Sequence, residues 1–483
     1  MKRFIFLLIV CALMMCLAGL SCAQGEEEEA LYPIRENGLW GYMNRAGETV
    51  IAPKWDEARP FDGKTAMVSF FEGKEASVRQ RFFRGIIDRS GVYLIDPGEG
   101  FYVQDNGLIF RIESETGAQG FVDKASGFYL PVQEEYRYIA DHYGDGSGPL
   151  AVENDENQIG YLDRTTGEVV FPFRYGEFVW DETGDFMNGY ALLADGGFPL
   201  EEGETDPIFY LIDLQGEKVP LPDGMMPVSG VWADRVVVMA LDEDDGWLFV
   251  YGLVKTDGTV IVEPSENYQY IWPPDDEGMV CFMSEEWRLG HMDRDGHVIV
   301  PPRYRIVDDA WVSYFFKNGY AVIKNSEDDT GDTVRWVILT PDGREIFSEL
   351  REQADGGEFW LDSEVQPGGL LWYQLNGRYG LMRVKDDRAE YLTGAVFDGD
   401  LNFIPNADPQ QMDVQYMGIE FSEGLYPVRL NGLWGYIDEN AQWAIPPQYQ
   451  NARNFRDGLA PVIRDGKLMY IDHDGNVVWK EKD

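Results

Sequence analysis

The side chains from which this chain could build chemistry are four histidines, four cysteines and a large excess of carboxylates. The histidines are His142, His291, His297 and His473. None forms a His-x-x-x-His pair and no Cys-x-x-Cys occurs, so the ligand spacing of a zinc centre is missing. His291 and His297 flank a turn and could approach across a hairpin, the one metal-directed juxtaposition that the spacing offers. Aspartate-rich segments, Asp293-Arg-Asp-Gly296 and Asp472-His-Asp-Gly475, invite a calcium reading. An EF-hand loop needs a further Asp or Asn and a distal Glu, which neither segment supplies, and a hairpin turn accounts for both. There is no Gly-rich phosphate loop and no Gly-x-Ser-x-Gly nucleophile elbow. A pair of carboxylates for glycoside hydrolysis could sit among the acids, but nothing singles out one pair. No catalytic, metal-ligating or cofactor-binding residue is nominated, and the chain is not expected to be an enzyme.

The charge balance points the same way. Asp and Glu number 85 against 40 Lys and Arg, a formal charge of −45 over 483 residues. Such a field repels phosphate backbones and excludes nucleic acid as a partner. Solvated strand faces and turns account for most of these acids, with attraction of a cationic partner as the other use of the charge. Hydrophobic residues make up 44% and aromatics 14%, too much for a disordered chain.

Residues 1–23 read as an export signal. Met1-Lys2-Arg3 precedes an apolar run from Phe4 to about Leu20 and then small residues. Two cleavage readings compete. Ser21-Cys22-Ala23 suits ordinary cleavage before Gln24, whereas Gly19-Leu20-Ser21-Cys22 is similar to a lipobox and would make Cys22 the lipidated first residue. An uncleaved anchor is a third outcome, since the run is near membrane-spanning length. Residues 24–30 form an acidic linker. Cys281 is the one cysteine beyond the leader and lies in the apolar run Gly278-Met-Val-Cys-Phe-Met283, so it reads as a buried thiol. With no disulfide available, packing must hold the body together.

That body, residues 31–483, is repetitive. Leu31-Tyr-Pro-Ile-Arg-Glu-Asn-Gly-Leu-Trp-Gly-Tyr-Met-Asn44 and Leu425-Tyr-Pro-Val-Arg-Leu-Asn-Gly-Leu-Trp-Gly-Tyr-Ile-Asp438 agree at ten of 14 positions. Weaker copies include Gly120-Phe-Val-Asp123, Gly160-Tyr-Leu-Asp163 and Gly290-His-Met-Asp293, each followed by Gly and Pro. Fainter ones begin at Gly85, Tyr210, Gly252, Trp336 and Gly380, and Tyr470-Ile-Asp472 closes the series. From Gly41 to the matching Met469 is 428 residues, about 43 for each of ten steps. The pattern resembles the bacterial WG-repeat family. Its signature positions here are Trp40, Gly41, Tyr42, Gly160, Tyr161, Asp163, Gly290, Asp293, Trp434, Gly435, Tyr436 and Asp438.

These residue types specify a scaffold. Trp434, Tyr436 and Asp438 alternate onto one face of a strand, and Asp followed by Gly makes a tight turn. The Pro that follows must end a strand or lie on an edge. Each unit is therefore a meander of three or four antiparallel strands, and His291 takes the Tyr position of its unit. The expected fold is all-β, either a propeller-like array or an open solenoid of about eleven units. Eleven exceeds the roughly four to eight blades of ordinary propellers, so ring closure is left open. Glu201–Asp206, Glu243–Gly246 and Glu327–Asp332 read as acidic loops, and Glu349–Met417 departs most from the motif. The resulting expectation is a non-enzymatic binding or scaffold protein of the bacterial cell envelope or exterior, its partner an unknown protein or glycan. The alternative is a carbohydrate-active or other hydrolytic protein with a cleft on the array. The membrane enters only through the N-terminal lipid or uncleaved signal.

Overall fold

A computed structural model describes residues 29–72, 81–140, 144–175, 184–195, 208–241, 249–275, 277–305, 314–327, 333–352, 359–398 and 421–482. The leader with Cys22, most of the 24–30 linker and His142 lie outside the described residues, as do nearly all of the three acidic loops and parts of 349–417.

The chain folds into eleven small antiparallel sheets, at residues 32–55, 57–95, 102–133, 136–175, 186–213, 226–265, 270–304, 321–352, 359–398, 425–449 and 451–480. They are arranged as a propeller-like ring and are called blades 1 to 11 in that order. Each corresponds to one unit of the sequence repeat. Within a blade, strands adjacent in sequence are paired, apart from the extra short strand Phe397–Asp398 of blade 9. The helical content of the described residues is one 3-10 turn, Pro97–Glu99.

The Trp-Gly-Tyr strand explains its own sequence. In blade 1 it is Leu39–Met43, paired on both sides by Tyr32–Glu36 and Thr49–Trp55. Tyr42 pairs with Ile51 and Trp40 with Trp55, so three residues bulge opposite Gly41. A side chain on Gly41 would stand 2.6 Å from the Pro53 nitrogen, closer than real atoms come. The same shift recurs in blade 10, where a Cβ on Gly435 would lie 2.7 Å from the Pro447 nitrogen. Both prolines sit on the outermost strand of their blade, where no ladder donor is lost.

Apolar clusters fill the junctions between successive blades. Clusters join blades 2 to 3, 3 to 4, 4 to 5, 5 to 6, 6 to 7, 7 to 8 and 8 to 9. One larger cluster spans blades 9, 10 and 11. The last packs Ile34, Trp40 and Tyr42 of blade 1 and Ile87 of blade 2 against Leu468, Tyr470 and Trp479 of blade 11. Of the two arrangements the sequence allowed, the ring is the one formed. Closure costs no exposed terminal face, because burying a residue such as Ile34 or Leu468 contributes about 1.5–3 kcal/mol.

Candidate functional site

The signature residues are placed by packing and turn chemistry. Trp40 and Trp434 are buried, which removes them as surfaces on which a ligand could stack. Tyr42, Tyr161 and Tyr436 are fully buried, and each donates its hydroxyl to a carbonyl leading into the next blade: Arg59, Gly184 and Arg453, at 2.7, 3.0 and 2.7 Å. Burial pushes all three phenols well above their ordinary pKa. His291, at the same position in blade 7, lies 2.8 Å from the Tyr314 carbonyl through Nε2 and does the same work with an imidazole. Gly160 faces the Phe173 ring and Gly290 faces the Val300 carbonyl, each too close for a side chain.

The aspartates of the motif cap hairpins. Asp163 Oδ1 accepts from the Thr165 and Thr166 amides, Asp293 Oδ1 from Asp295 and His297, and Asp438 Oδ1 from Asn440 and Gln442. Hydrogen bonds from the Thr165 hydroxyl and amide hold the Asp163 carboxyl below the usual range. These oxygens are satisfied by the turn itself. His297 is exposed and bonds Asp293, whereas His291 points to Tyr314, so the two histidines turn to different partners. No group of three or more His, Cys, Asp or Glu able to hold a metal occurs among the described residues. Cys281 is buried opposite His291 across the strand pair, and burial pushes its thiol well up.

The remaining candidate is a cavity of about 370 Å³ where blades 5, 6 and 7 meet. Its walls carry Tyr190, Trp232, Tyr270 and Trp272, with Asp185 and Ser229 as polar groups. The volume is in the range of small-molecule sites. Trp232 sits at the mouth of a two-residue turn, Ala233-Asp234, whose positive φ values of 46° and 59° fix its direction. Tyr270 and Trp272 meet edge to face with centroids 4.6 Å apart, and Tyr251 packs on Tyr270 at 5.0 Å. Tyr270 is 41% exposed, so the aromatic surface is open to solvent. Asp185 is only 6% exposed.

Sequence reasoning passed over these residues, although a signal was present. The position of Trp232 before the turn is held by Asp62, Lys317, Ser422 and Arg456 in other blades. The position of Trp272, marked by its amide bond to the Cys281 carbonyl, is held by Arg59, Ala140, Gly184, Val228, Asp362 and Arg453 in other blades. An aromatic stands among mainly polar residues at the Trp232 position and among mixed residue types at the Trp272 position, and alignment of the strands is needed to see it. A cavity at the corresponding place in the ring closure, about 150 Å³, is lined instead by Arg89, Arg456 and Asp457.

Comparison with known proteins adds the following. No curated protein matches the chain. Among solved structures, the chain is similar to the computationally designed Ika8 protein, at 11% identity and TM-score 0.29 over 78% of this chain and 94% of that one. It is similar to BamB from Moraxella catarrhalis at 13% identity and TM-score 0.29, over 66% and 92% of the two chains. A eukaryotic initiation factor matches at 11% identity and TM-score 0.35, over 68% and 89%. Likenesses this remote carry no functional argument. The family model described as WG containing repeat matches residues 40–74, 416–434 and 434–467, the two ends that meet at the closure. Those matches show that the chain carries WG-containing repeats in both of these regions.

Proposed function

We propose that this protein is an exported, non-enzymatic binding ring of the bacterial cell envelope or exterior, and that it takes its ligand in the cavity between blades 5 and 7. The observation that carries this reading is the convergence of Tyr190, Trp232, Tyr270 and Trp272 on an open cavity of about 370 Å³. Trp272 packs in part against the core of blades 7 and 8, whereas Tyr270, 41% exposed, leaves an aromatic surface that a stacking ligand would use. Export is supported by the charged and apolar start of the chain, Met1 to Leu20. A hydrolase working in this cavity would need a second carboxyl beside Asp185, the acid of the described lining.

The test is a pull-down from envelope extract and a glycan panel, each run with the mature protein and with Trp232→Ala and Trp272→Ala. Partners retained by the native protein and lost by both variants support the reading. Partners retained equally by all three remove the cavity from the function. Mass determination of the mature N-terminus decides between a lipidated Cys22, cleavage before Gln24 and a retained leader.

A further inference from the structure

At the end of blades 6 and 7 where their second and third strands are joined, apolar side chains follow one another on the surface. Leu241 and Phe249 pair across the strands of blade 6 and are 54% and 42% exposed. Phe249 and Tyr251 stand two residues apart on one strand and so share a face. Tyr251 packs on Tyr270 of blade 7, with centroids 5.0 Å apart. Tyr270 pairs with Met283, which leads into the turn that presents Trp287. Single exposed apolar residues are ordinary, whereas a contiguous set marks a contact surface.

Trp287 is its most telling member. It holds a left-handed backbone position, φ 56°, and is 68% exposed. Its turn is closed by bonds from the Ser284 amide to the Arg288 carbonyl and from the Trp287 amide to the Ser284 carbonyl, a pattern that recurs in other blades. Gly47, Gly117, Gly258 and Gly296 hold the corresponding place there, and Asn157 and Ala441 are short substitutes. A bulky ring is disfavoured in that conformation, and at this exposure it buries little in return. Neither the turn nor the core accounts for an indole here, and a partner that buries it does.

Charge selects the partner. Residues 236–287 contain twelve acids and one basic residue, Lys255. Lys255 pairs with Arg235, at the opposite end of blade 6 from Leu241 and Phe249. Glu266 follows Ser265, the strand partner of Tyr251, and Glu285 and Glu286 precede Trp287; all three acids are exposed. A second copy of the chain would set acids against acids, and anionic lipid is repelled in the same way. A cationic segment with apolar side chains answers both features.

We infer that this end of blades 6 and 7 docks a basic amphipathic segment of a protein partner, against Leu241, Phe249 and Tyr270 and with Trp287 as the anchor. The surface goes beyond the cavity proposed above and does not depend on it. Tyr270 borders both, so the test varies the other residues.

The experiment titrates the mature chain calorimetrically with an amphipathic leucine–lysine peptide. A leucine–glutamate counterpart and a serine–lysine peptide of equal charge serve as controls. The leucine–lysine peptide should bind tightest of the three, and added salt should weaken it. Trp287→Ala should weaken binding about tenfold, and Leu241→Ser combined with Phe249→Ser by a similar factor. Trp287→Gly, which relieves the backbone, should melt no lower than the native chain and still lose the peptide, separating contact from misfolding. Val169→Ser, at an exposed valine of blade 4, and Trp232→Ala in the cavity should leave binding unchanged. Equal binding of the serine–lysine peptide, or binding indifferent to Trp287 and Phe249, overturns the inference. Dimerisation in sedimentation, or partition onto phosphatidylcholine vesicles, that is lost in Trp287→Ala also overturns it, by giving the surface to a second copy or to a membrane.

Discussion

The Tyr470 hydroxyl donates to the Pro33 carbonyl at 2.8 Å, joining residues 437 positions apart. It is the same bond that Tyr436 makes to Arg453 between blades 10 and 11, used here to tie the last blade to the first. Arg35 and Glu481 reinforce it with a two-pronged ion pair, at 2.8 and 3.0 Å, and Lys482 reaches Glu36. The ring is thus closed by the device that links its ordinary neighbours.

Removing the closure should open the molecule. Tyr470→Phe leaves the buried Pro33 carbonyl without its donor and should cost about 2 kcal/mol in denaturant unfolding. Deleting residues 474–483 removes the strand Val477–Lys480 and Glu481, and should raise the radius of gyration measured by X-ray scattering. An unchanged radius would show that these contacts do not hold the ring.

Two glycine substitutions separate crowding from backbone strain. Gly435→Ala forces a methyl against the Ile445 carbonyl and Pro447 nitrogen, and should cost about 3 kcal/mol. Gly432→Ala meets no atom within 4 Å, and only its φ of +82° opposes a side chain, so about 1–2 kcal/mol is expected. Thermal melts that rank the two variants the other way would refute the account of the bulge.

Acid should loosen the junction of blades 7 and 8. Burial pulls the His291 pKa down to about 4, against about 6.5 in an unfolded chain. Between those values the unfolded chain binds a proton that the folded one does not. His291 therefore contributes fully above about pH 6.5, and its contribution is lost as the pH falls toward 4, by about 3 kcal/mol in all. His291→Tyr restores the residue used in blades 1, 4, 10 and 11 and should flatten stability across that window. A variant with the native slope would show that another group is responsible.

The hairpin aspartates should behave as caps. Asp163→Ala removes acceptors for two amides and the Thr165 hydroxyl, and about 1 kcal/mol of stability should go with them. Calcium or a chelator should leave the melting midpoint of the native protein where it was. A shift on adding chelator would mean that these carboxylates hold a cation.

Arg453 is buried at the junction of blades 10 and 11, and neither Nε nor Nη2 has a hydrogen-bond partner. Burial lowers its pKa to about 10, the mark of a cation without compensation. Arg453→Met should match or exceed the native stability by about 1–3 kcal/mol. A marked loss would point to a partner for the guanidinium in solution.

The sequence by itself determined the unit. Gly41 under its bulge, Asp438 capping its turn and Pro447 on its edge strand are constraints between residues a few positions apart, so each leaves a fixed spacing in the chain. The all-β class, the meander and the 43-residue period follow from that spacing, and hydrogen bonds between successive blades, such as Asn188 to Val231 across 43 residues, keep to it. Closure is different. It depends on a small rotation between neighbouring blades accumulated over eleven of them, and no local residue pattern encodes that sum. Only the tertiary structure brought Tyr470 to Pro33. Likewise only stacking of three blades brought Asp185, Trp232 and Trp272, each some forty residues from the next, around one cavity.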